Sequence, residues 1–403
     1  MKKFFGKIAS AIKAHKIRTV VITLVSLFVI FAIVTVSVFS VLVFNRFAEG
    51  YRPNDAQLAV INDNPANQYD RVVIIGVDGA GAYPGEMLDD DQGSLPNFKK
   101  LFVDGVMTKD GKQLYASVTY SGMAVYPTIS AQNWTSMFHG VRPYYHGITG
   151  DNSNKDLDNG KQAKSKYPSF VKVCLDAHPE WKAISSCTWS AVNNGAIENL
   201  DRVLKLNTTC KALQDIVSGE EVLTGLGSAD LTNYIKEVTA NDGFADPDYS
   251  LRDAVTVQRI IGATTGEGAE DYKIIYMHLN QVDSAGHSFG YNKQPYARAV
   301  SRVDTLIGRL YDAYNEAGMA GNTLFIFCTD HGHRYAQDGT GHGGNSEVER
   351  NVTFAIAGKT VRQGKPGKYV NTDLAPIVTY ALGVKGNKNW QGRVPYKMFT
   401  TLG

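Results

Sequence analysis

Sulfur is scarce in this sequence. Four cysteines occur in 403 residues, and no two of them have the C-x-x-C spacing of a thiolate metal site. A disulfide among Cys174, Cys187 and Cys210 stays open, and its pairing cannot be read from spacing alone. Cys328 ends the apolar run TLFIFC and is predicted to be a buried thiol of the core.

Acidic residues are absent from residues 1–18, which carry six lysines and arginines, and residues 19–44 contain no charged residue at all. A helix of 26 residues is about 39 Å long, which exceeds the roughly 30 Å apolar core of a bilayer. A buried core helix is the alternative, but such helices rarely lack polar residues for so long. We therefore expect a transmembrane anchor over 19–44, with residues 1–18 as a basic tail in the cytoplasm and the body of the chain outside. No small-residue cleavage site follows, so the anchor is expected to stay uncleaved.

A large excess of positive charge is also missing. The formal net charge is +2, and because the basic tail contributes six positive charges, the rest of the chain carries −4. A mildly acidic body does not attract a polyphosphate backbone. Binding to a nucleic-acid duplex is therefore not expected.

Internal repeats and low-complexity tracts are absent, and three apolar, β-branched segments stand out instead. They are RVVIIGVDGAG, DYKIIYMHLNQVD and NTLFIFCTDHG, and each runs into Asp or His at its end. Helical periodicity appears between them, as in residues 294–318. The alternation predicts an α/β domain over 71–403 with a mainly parallel central sheet flanked by helices. A polar linker is expected over 45–70 and a cap or insertion over 195–249.

Metal-binding side chains concentrate after two of these strands. Asp283 and His287 occur in D-S-A-G-H, Asp330 and His331 in T-D-H-G, and His342 in G-H-G-G. Carboxylate and imidazole ligands without sulfur suit Zn²⁺, with Mn²⁺ as the second choice, and there are enough of them for two ions. A hydrogen-bonded turn region without metal is the competing interpretation.

Five motifs in order resemble a known family. They are V-D-G-A, Y-P-T-I-S-A-Q-N-W, H-G-V-R-P-Y-Y-H-G-I, D-S-A-G-H-S-F-G and T-D-H-G with G-H-G-G, and together they extend from Arg71 to about Gly344. This order is similar to that of the type I phosphodiesterase and nucleotide pyrophosphatase family, within the alkaline phosphatase superfamily. The resemblance implies an alkaline-phosphatase-like core and a two-metal phosphoesterase.

The resemblance also implies roles for individual residues. The nucleophile falls on Ser130, where the family commonly has threonine, and Thr128 is the competing assignment. A substrate-binding asparagine falls on Asn152, although the spacing from H-G-I is one residue longer than in relatives, and a turn-forming role competes. One metal would be held by Asp283, His287 and His342, and the other by Asp78, Asp330, His331 and the Ser130 oxygen.

Function follows from these parts as an expectation. The chain is expected to be a phosphodiesterase or nucleotide pyrophosphatase that works outside the cytoplasm through a phosphoseryl intermediate. Its substrate would be a small phosphodiester or pyrophosphate, or a lipid or cell-envelope phosphodiester. A phosphomonoesterase, a phosphonate hydrolase or a phosphoethanolamine transferase shares the metals and nucleophile and stays open. A catalytically silent binding module is the remaining alternative. His333 fits either a supporting position behind the ligands or a place in solvent.

Overall fold

The computed structural model describes residues 22–35, 50–89, 95–218 and 247–402, together with positions 6, 10, 13 and 15. Its centre is an eight-stranded sheet in the order β2-β3-β8-β7-β1-β6-β4-β5. The strands are β1 (Arg71–Val77), β2 (Val106–Met107), β3 (Gln113–Met123), β4 (Lys182–Cys187), β5 (Val203–Asn207), β6 (Tyr272–Leu279), β7 (Thr323–Thr329) and β8 (Asn351–Gly358).

The sheet is mixed, which corrects the expectation of a mainly parallel sheet. Strands β7, β1, β6, β4 and β5 run parallel to one another. Strands β8, β3 and β2 continue the sheet through three antiparallel pairings. Parallel strands need crossover connections, which are usually helical. The antiparallel strands lack the sequence pattern that marks β1 and β7, an apolar run followed by Asp or His.

Helices cover both faces of the sheet. They are α1 (Asp55–Asn62), α2 (Tyr83–Asp89), α3 (Pro96–Phe98), α4 (Ser130–His139), α5 (Pro143–His146), α6 (Ser153–Asp158), α7 (Phe170–Ala177), α8 (Cys210–Ser218), α9 (Pro247–Thr265), α10 (Gln281–Phe289), α11 (Gln294–Glu316), α12 (Glu347–Arg350) and α13 (Leu374–Ala381). Short 3-10 turns and two π-helical segments, Lys99–Asp104 and Val192–Ala196, connect them.

Strand β1 shows why the central strands are apolar along their whole length. Val72 and Ile74 point into one buried cluster, and Val73 and Ile75 point into another on the opposite face. Because both faces are covered, no alternation of polar and apolar residues is needed. The continuous apolar run therefore identifies this strand as central.

The predicted linker and the predicted insertion within the domain both contain regular secondary structure. The predicted linker 45–70 contains α1, whose first turn carries a capping box between Asn54 and Gln57 and whose Leu58 and Ile61 are buried. In the region 195–249, Val203–Asn207 forms the edge strand β5. Residues 219–246, the larger part of that predicted insertion, lie outside the described residues.

The predicted anchor is described only in part. Residues 22–35 are helical and their side chains are mostly exposed, while the remainder of 19–44 and most of the basic tail lie outside the described residues. Within the described ranges, no helix combines the length and apolarity needed to cross a bilayer.

The cysteines at Cys174, Cys187 and Cys328 are buried free thiols. Cys328 therefore occupies the core position expected of it. The disulfide considered for the first three cysteines is not formed, since Cys174 and Cys187 are each enclosed by apolar side chains.

Candidate active site

The carboxyl ends of three neighbouring parallel strands carry the predicted ligands. Asp78 follows β1, and Asp330 and His331 follow β7, which pairs directly with β1. Strand β6, on the other side of β1, leads into α10, which carries Asp283 and His287. Because parallel strands end at the same edge, ligands more than 200 residues apart in the chain meet here.

Ser130 is the first residue of α4 and is buried beneath this edge. Its Oγ lies 3.0 Å from His331 Nε2 and 3.4 Å from Asp78 Oδ1. Thr128, the competing nucleophile, instead donates from Oγ1 to the Gly344 carbonyl and accepts from the Gly343 amide. The geometry therefore favours Ser130, at the amide end of a ten-residue helix that attracts anions.

Two groups that the sequence analysis did not single out for this role hold Asp78 in place. Trp134 Nε1 donates to Asp78 Oδ2 at 2.8 Å, and His278 Nε2 contacts the same oxygen at 2.9 Å. His278 is fully buried in β6, where it stands in the otherwise apolar run IIYMHL. That lone buried polar residue was the available signal, because a buried imidazole requires a partner.

Only one of the two carboxylate oxygens of Asp330 accepts hydrogen bonds from the described residues. Its Oδ1 accepts from the Gly79 and His331 amides, but among the described residues the buried Oδ2 has no hydrogen-bond partner. Burial, and then the negative charge of Asp78, raise the pKa of Asp330 well above its usual range. Such a group requires either a proton or a cation beside it.

The imidazole of His331 faces this carboxylate in its neutral form. Burial lowers the pKa of His331 well below its usual value, so the imidazole is neutral. Its Nδ1 lies 3.2 Å from the Gly332 carbonyl, and donation there leaves an electron pair on Nε2. Since Nε2 lies 3.1 Å from Asp330 Oδ2, the electron pairs of these two atoms oppose each other unless a proton or a cation lies between them.

A second group of ligands surrounds Asp283. The Nε2 atom of His333 contacts Asp283 Oδ1 at 2.8 Å, while His287 and His342 lie 3.5 and 3.6 Å from its carboxylate. Burial alone would raise the pKa of Asp283, but the hydrogen bond from His333 and the nearby imidazoles hold this pKa well below its usual range. His342 Nδ1 lies 2.6 Å from the Thr128 carbonyl, which leaves its Nε2 toward the ligand group.

His333 resolves an alternative that the sequence left open. It is fully buried behind Asp283 and is not in solvent. A Cβ at Gly286 would come within 2.4 Å of the His333 ring, so the glycine of D-S-A-G-H makes room for this imidazole. The motif thus contains two predicted ligands and the space for a buried imidazole that contacts one of them.

Helix α10 is itself anchored by a buried carboxylate. Asp253, in α9, accepts hydrogen bonds from the Asn280 and Gln281 amides, both at 2.9 Å, at the start of α10. Burial raises the pKa of Asp253 to about 6, against the effect of these hydrogen bonds. The contact fixes the helix that presents Asp283 and His287.

We call Asp78, Ser130, Asp330 and His331 the buried cluster, and Asp283, His287, His333 and His342 the open cluster. Donor atoms of the four open-cluster residues lie within 4.8 Å of one another, as do those of Asp78, Asp283 and His331. The oxygen and nitrogen donors, the partnerless Asp330 oxygen and the opposed electron pairs all fit divalent cations. The residues present are therefore suited to hold metal.

A cavity of about 350 Å³ opens onto both clusters. Its walls include Asn154, Lys155 and Asp158 of α6, together with Trp189 and Tyr249. Asn152, the predicted substrate contact, is exposed at the start of α6 and is not among the residues that line the cavity. Asn154, two residues later, lines it, and its Oδ1 accepts from the Ala131 amide at 3.0 Å.

Comparison with known proteins places this geometry in context. A model of the type I phosphodiesterase / nucleotide pyrophosphatase family matches residues 72–351, more than half of the chain. GPI ethanolamine phosphate transferase 1 of Saccharomyces cerevisiae is 27% identical over 143 residues, which is 31% of this chain and 16% of that protein. The chain thus matches less than a fifth of the length of that relative.

Solved structures show the same fold at low identity. Alkaline phosphatase PafA superposes with a TM-score of 0.56 at 12% identity, covering 82% of this chain and 99% of that chain. Murine ectonucleotide pyrophosphatase/phosphodiesterase 5, inactive and in complex with AMP, superposes with a TM-score of 0.50 at 13% identity, covering 79% and 96%. The fold is therefore that of the alkaline phosphatase superfamily.

Proposed function

Since this chain belongs to the type I phosphodiesterase / nucleotide pyrophosphatase family, we propose that it is a metal-dependent phosphodiesterase that works through a phosphoseryl intermediate on Ser130. The observation that carries the proposal is the position of Ser130 Oγ, between His331 Nε2 and Asp78 Oδ1, at the start of α4 and in the wall of the cavity. A hydroxyl in this position can attack a phosphorus atom that enters from the cavity.

Two divalent ions, with zinc the first choice and manganese the second, would be held by the two clusters and would supply charge that acidifies the Ser130 hydroxyl and offsets the phosphate charge. Asp78, Asp330 and His331 are assigned to one ion, and Asp283, His287 and His342 to the other. His333 orients Asp283, and His278 with Trp134 orients Asp78.

The reaction then has two halves. In the first, the Ser130 Oγ–P bond forms and the bond from phosphorus to the leaving alcohol breaks, and the alcohol leaves with a proton. In the second, a water oxygen attacks the phosphoseryl group, phosphate monoester departs and Ser130 regains its proton. The Asn154 and Lys155 side chains, which line the cavity and carry N–H donors, are suited to hold the phosphate oxygens during both halves.

The test compares hydrolysis of bis-p-nitrophenyl phosphate and p-nitrophenyl phosphate by the full chain, with and without added Zn²⁺. We expect zinc-dependent activity that prefers the diester, disappears in Ser130→Ala and partly returns in Ser130→Thr. Ser136→Ala is the matched control, since Ser136 lies in the same helix and its Oγ donates to the Gln132 carbonyl. Activity that survives Ser130→Ala would contradict the nucleophile assignment, and a monoester preference would indicate a phosphatase.

A transferase is the second candidate, favoured by the similarity to a GPI ethanolamine phosphate transferase. In that case an alcohol, not water, would attack the phosphoseryl group in the second half-reaction. Hydrolysis in water enriched in ¹⁸O, with and without a primary alcohol, separates the two. Label in the released phosphate monoester supports the hydrolase, whereas turnover that requires the alcohol and yields an unlabelled diester supports the transferase.

We also propose that residues 19–44 anchor the enzyme in a membrane, with the basic tail in the cytoplasm and the catalytic domain outside. The support is the uncharged length of this segment and the charge asymmetry of its flanks. Protease added to intact cells should digest the catalytic domain but leave an N-terminal tag protected. Protection of both would contradict this orientation.

A further inference from the structure

Helix α6 carries polar side chains away from the nucleophile along the cavity. The Asn154 contact with the Ala131 amide fixes the first turn of α6 beside the start of α4. Asp158, the last residue of α6, is four residues further on and also lines the cavity. A rise of 1.5 Å per residue places it about 6 Å further along the helix axis than Asn154. The cavity therefore has a part beyond the reacting phosphate.

One oxygen of Asp158 is held and the other is available. Oδ1 accepts from Ser190 Oγ at 2.9 Å and from Asn194 Nδ2 at 3.4 Å, which orients the carboxylate. Oδ2 has no hydrogen-bond or ion-pair partner within the described part of the chain. Lys155, one turn earlier on α6, lines the cavity but forms no ion pair with Asp158 among these residues. A positioned carboxylate with one available oxygen is suited to accept hydrogen bonds from a cation.

An aromatic wall adjoins this carboxylate. Trp189 precedes Ser190, the residue that donates to Asp158, and both Trp189 and Asp158 line the cavity. Tyr249 also lines it, but the Arg252 guanidinium already lies 4.5 Å from the centre of its ring. Trp189 lines the cavity beside the His278 ring, with 6.0 Å between the two ring centres, and is the aromatic side chain that we assign to another cation.

We propose that Asp158 and Trp189 form a subsite for the primary ammonium group of an amino-alcohol phosphodiester. This inference rests on the proposed function, since it specifies the substrate class of the same cavity. Lys155 serves the phosphate, and Asp158 serves the ammonium group. A nucleotide pyrophosphate, by contrast, would bring further negative charge toward Asp158.

The test uses two substrates of the same shape and different charge, p-nitrophenyl 2-aminoethyl phosphate and p-nitrophenyl propyl phosphate. The full-length, zinc-supplemented wild type should prefer the aminoethyl ester. Asp158→Asn should lower kcat/KM for that ester about tenfold, because a hydrogen bond to a charged group is lost, and should leave the propyl ester unchanged. An equal loss on both esters, or no preference in the wild type, would overturn the subsite.

Asp156→Asn is the matched control. Asp156 lies on the same helix, pairs with Lys161 at 2.8 Å and is not among the cavity-lining residues. Its substitution should change neither ester. A loss equal to that of Asp158→Asn would mean that helix stability, not ammonium recognition, explains the effect.

Binding separates failure of the subsite from failure of the proposed function. Calorimetric titration of Ser130→Ala with O-phosphoethanolamine measures binding without turnover. In one outcome the wild type hydrolyses neither ester, but Ser130→Ala binds O-phosphoethanolamine and adding Asp158→Asn to that variant weakens binding about tenfold. The subsite then stands and the proposed hydrolysis fails. If diesters are hydrolysed but binding does not depend on Asp158, the subsite fails alone.

Discussion

The buried cluster and the open cluster use similar side chains in different surroundings. The His331 side chain is 0% exposed, whereas that of His287 is 52% exposed. Asp330 follows a strand and accepts two backbone amides, but His287 stands in the last part of α10 and faces the cavity. In the buried cluster, contacts with His331 and Asp78 hold Ser130 Oγ in place, whereas in the open cluster His287 is accessible from the cavity and His333 is fully buried.

The largest expected effect comes from the buried cluster. Asp330→Asn should lower kcat/KM for the diester on the order of a thousandfold, because the amide removes the charge that the site needs from its most enclosed carboxylate. Metal content, measured by atomic absorption, should fall by about one ion per chain. Full metal content with full activity would contradict the assignment of Asp330.

A smaller and partly reversible effect is expected in the open cluster. His287→Asn should lower kcat/KM about a hundredfold, and excess Zn²⁺ should restore part of the activity, because Asp283 and His342 remain as donors, with His333 behind Asp283. A zinc titration of activity measures this. If zinc rescued Asp330→Asn as well as His287→Asn, the difference between the clusters would have no functional meaning.

The cavity wall offers a still smaller contrast. Asn154→Ala should lower kcat/KM about tenfold, since it removes both a possible contact with phosphate and the link to the Ala131 amide. Asn152→Ala is the matched substitution two residues earlier and should leave kcat/KM unchanged. Equal losses, or a loss confined to Asn152→Ala, would favour the role implied by motif spacing.

The last effect is on stability and not on activity, and it concerns the support of the open cluster. The pKa of Asp253 is raised from 3.8 to about 6, so the folded state binds a proton more tightly than the unfolded chain. Its contribution to stability is full below about pH 4 and is lost as the pH rises through about 6. Relative to Asp253→Asn, the free energy of unfolding of the wild type should fall by about 3 kcal/mol over that interval. Denaturant unfolding at several pH values measures it, and parallel profiles would contradict it.

Much of the scaffold could be predicted from local patterns. The strand that became β1 has apolar side chains on both faces, and the helix predicted over 294–318 is observed as Gln294–Glu316. Strand β3 escaped prediction because it mixes buried with partly and fully exposed residues and contains a register shift between Thr119 and Gly122. Such a strand lacks the uniform apolar run that marks a central parallel strand.

The sequence by itself determined which candidate metal-ligating side chains are present. It also determined that Asp78, Asp330 and His331 follow apolar strands, because a buried strand must be apolar and its end is where polar groups can appear. Only the tertiary structure decided that His278 and His333 support the ligands and that Asn154, not Asn152, reaches the cavity. These contacts join residues that are 23 to 200 positions apart. Their partners depend on strand order and on the direction in which each side chain leaves its element, and local periodicity does not encode either one.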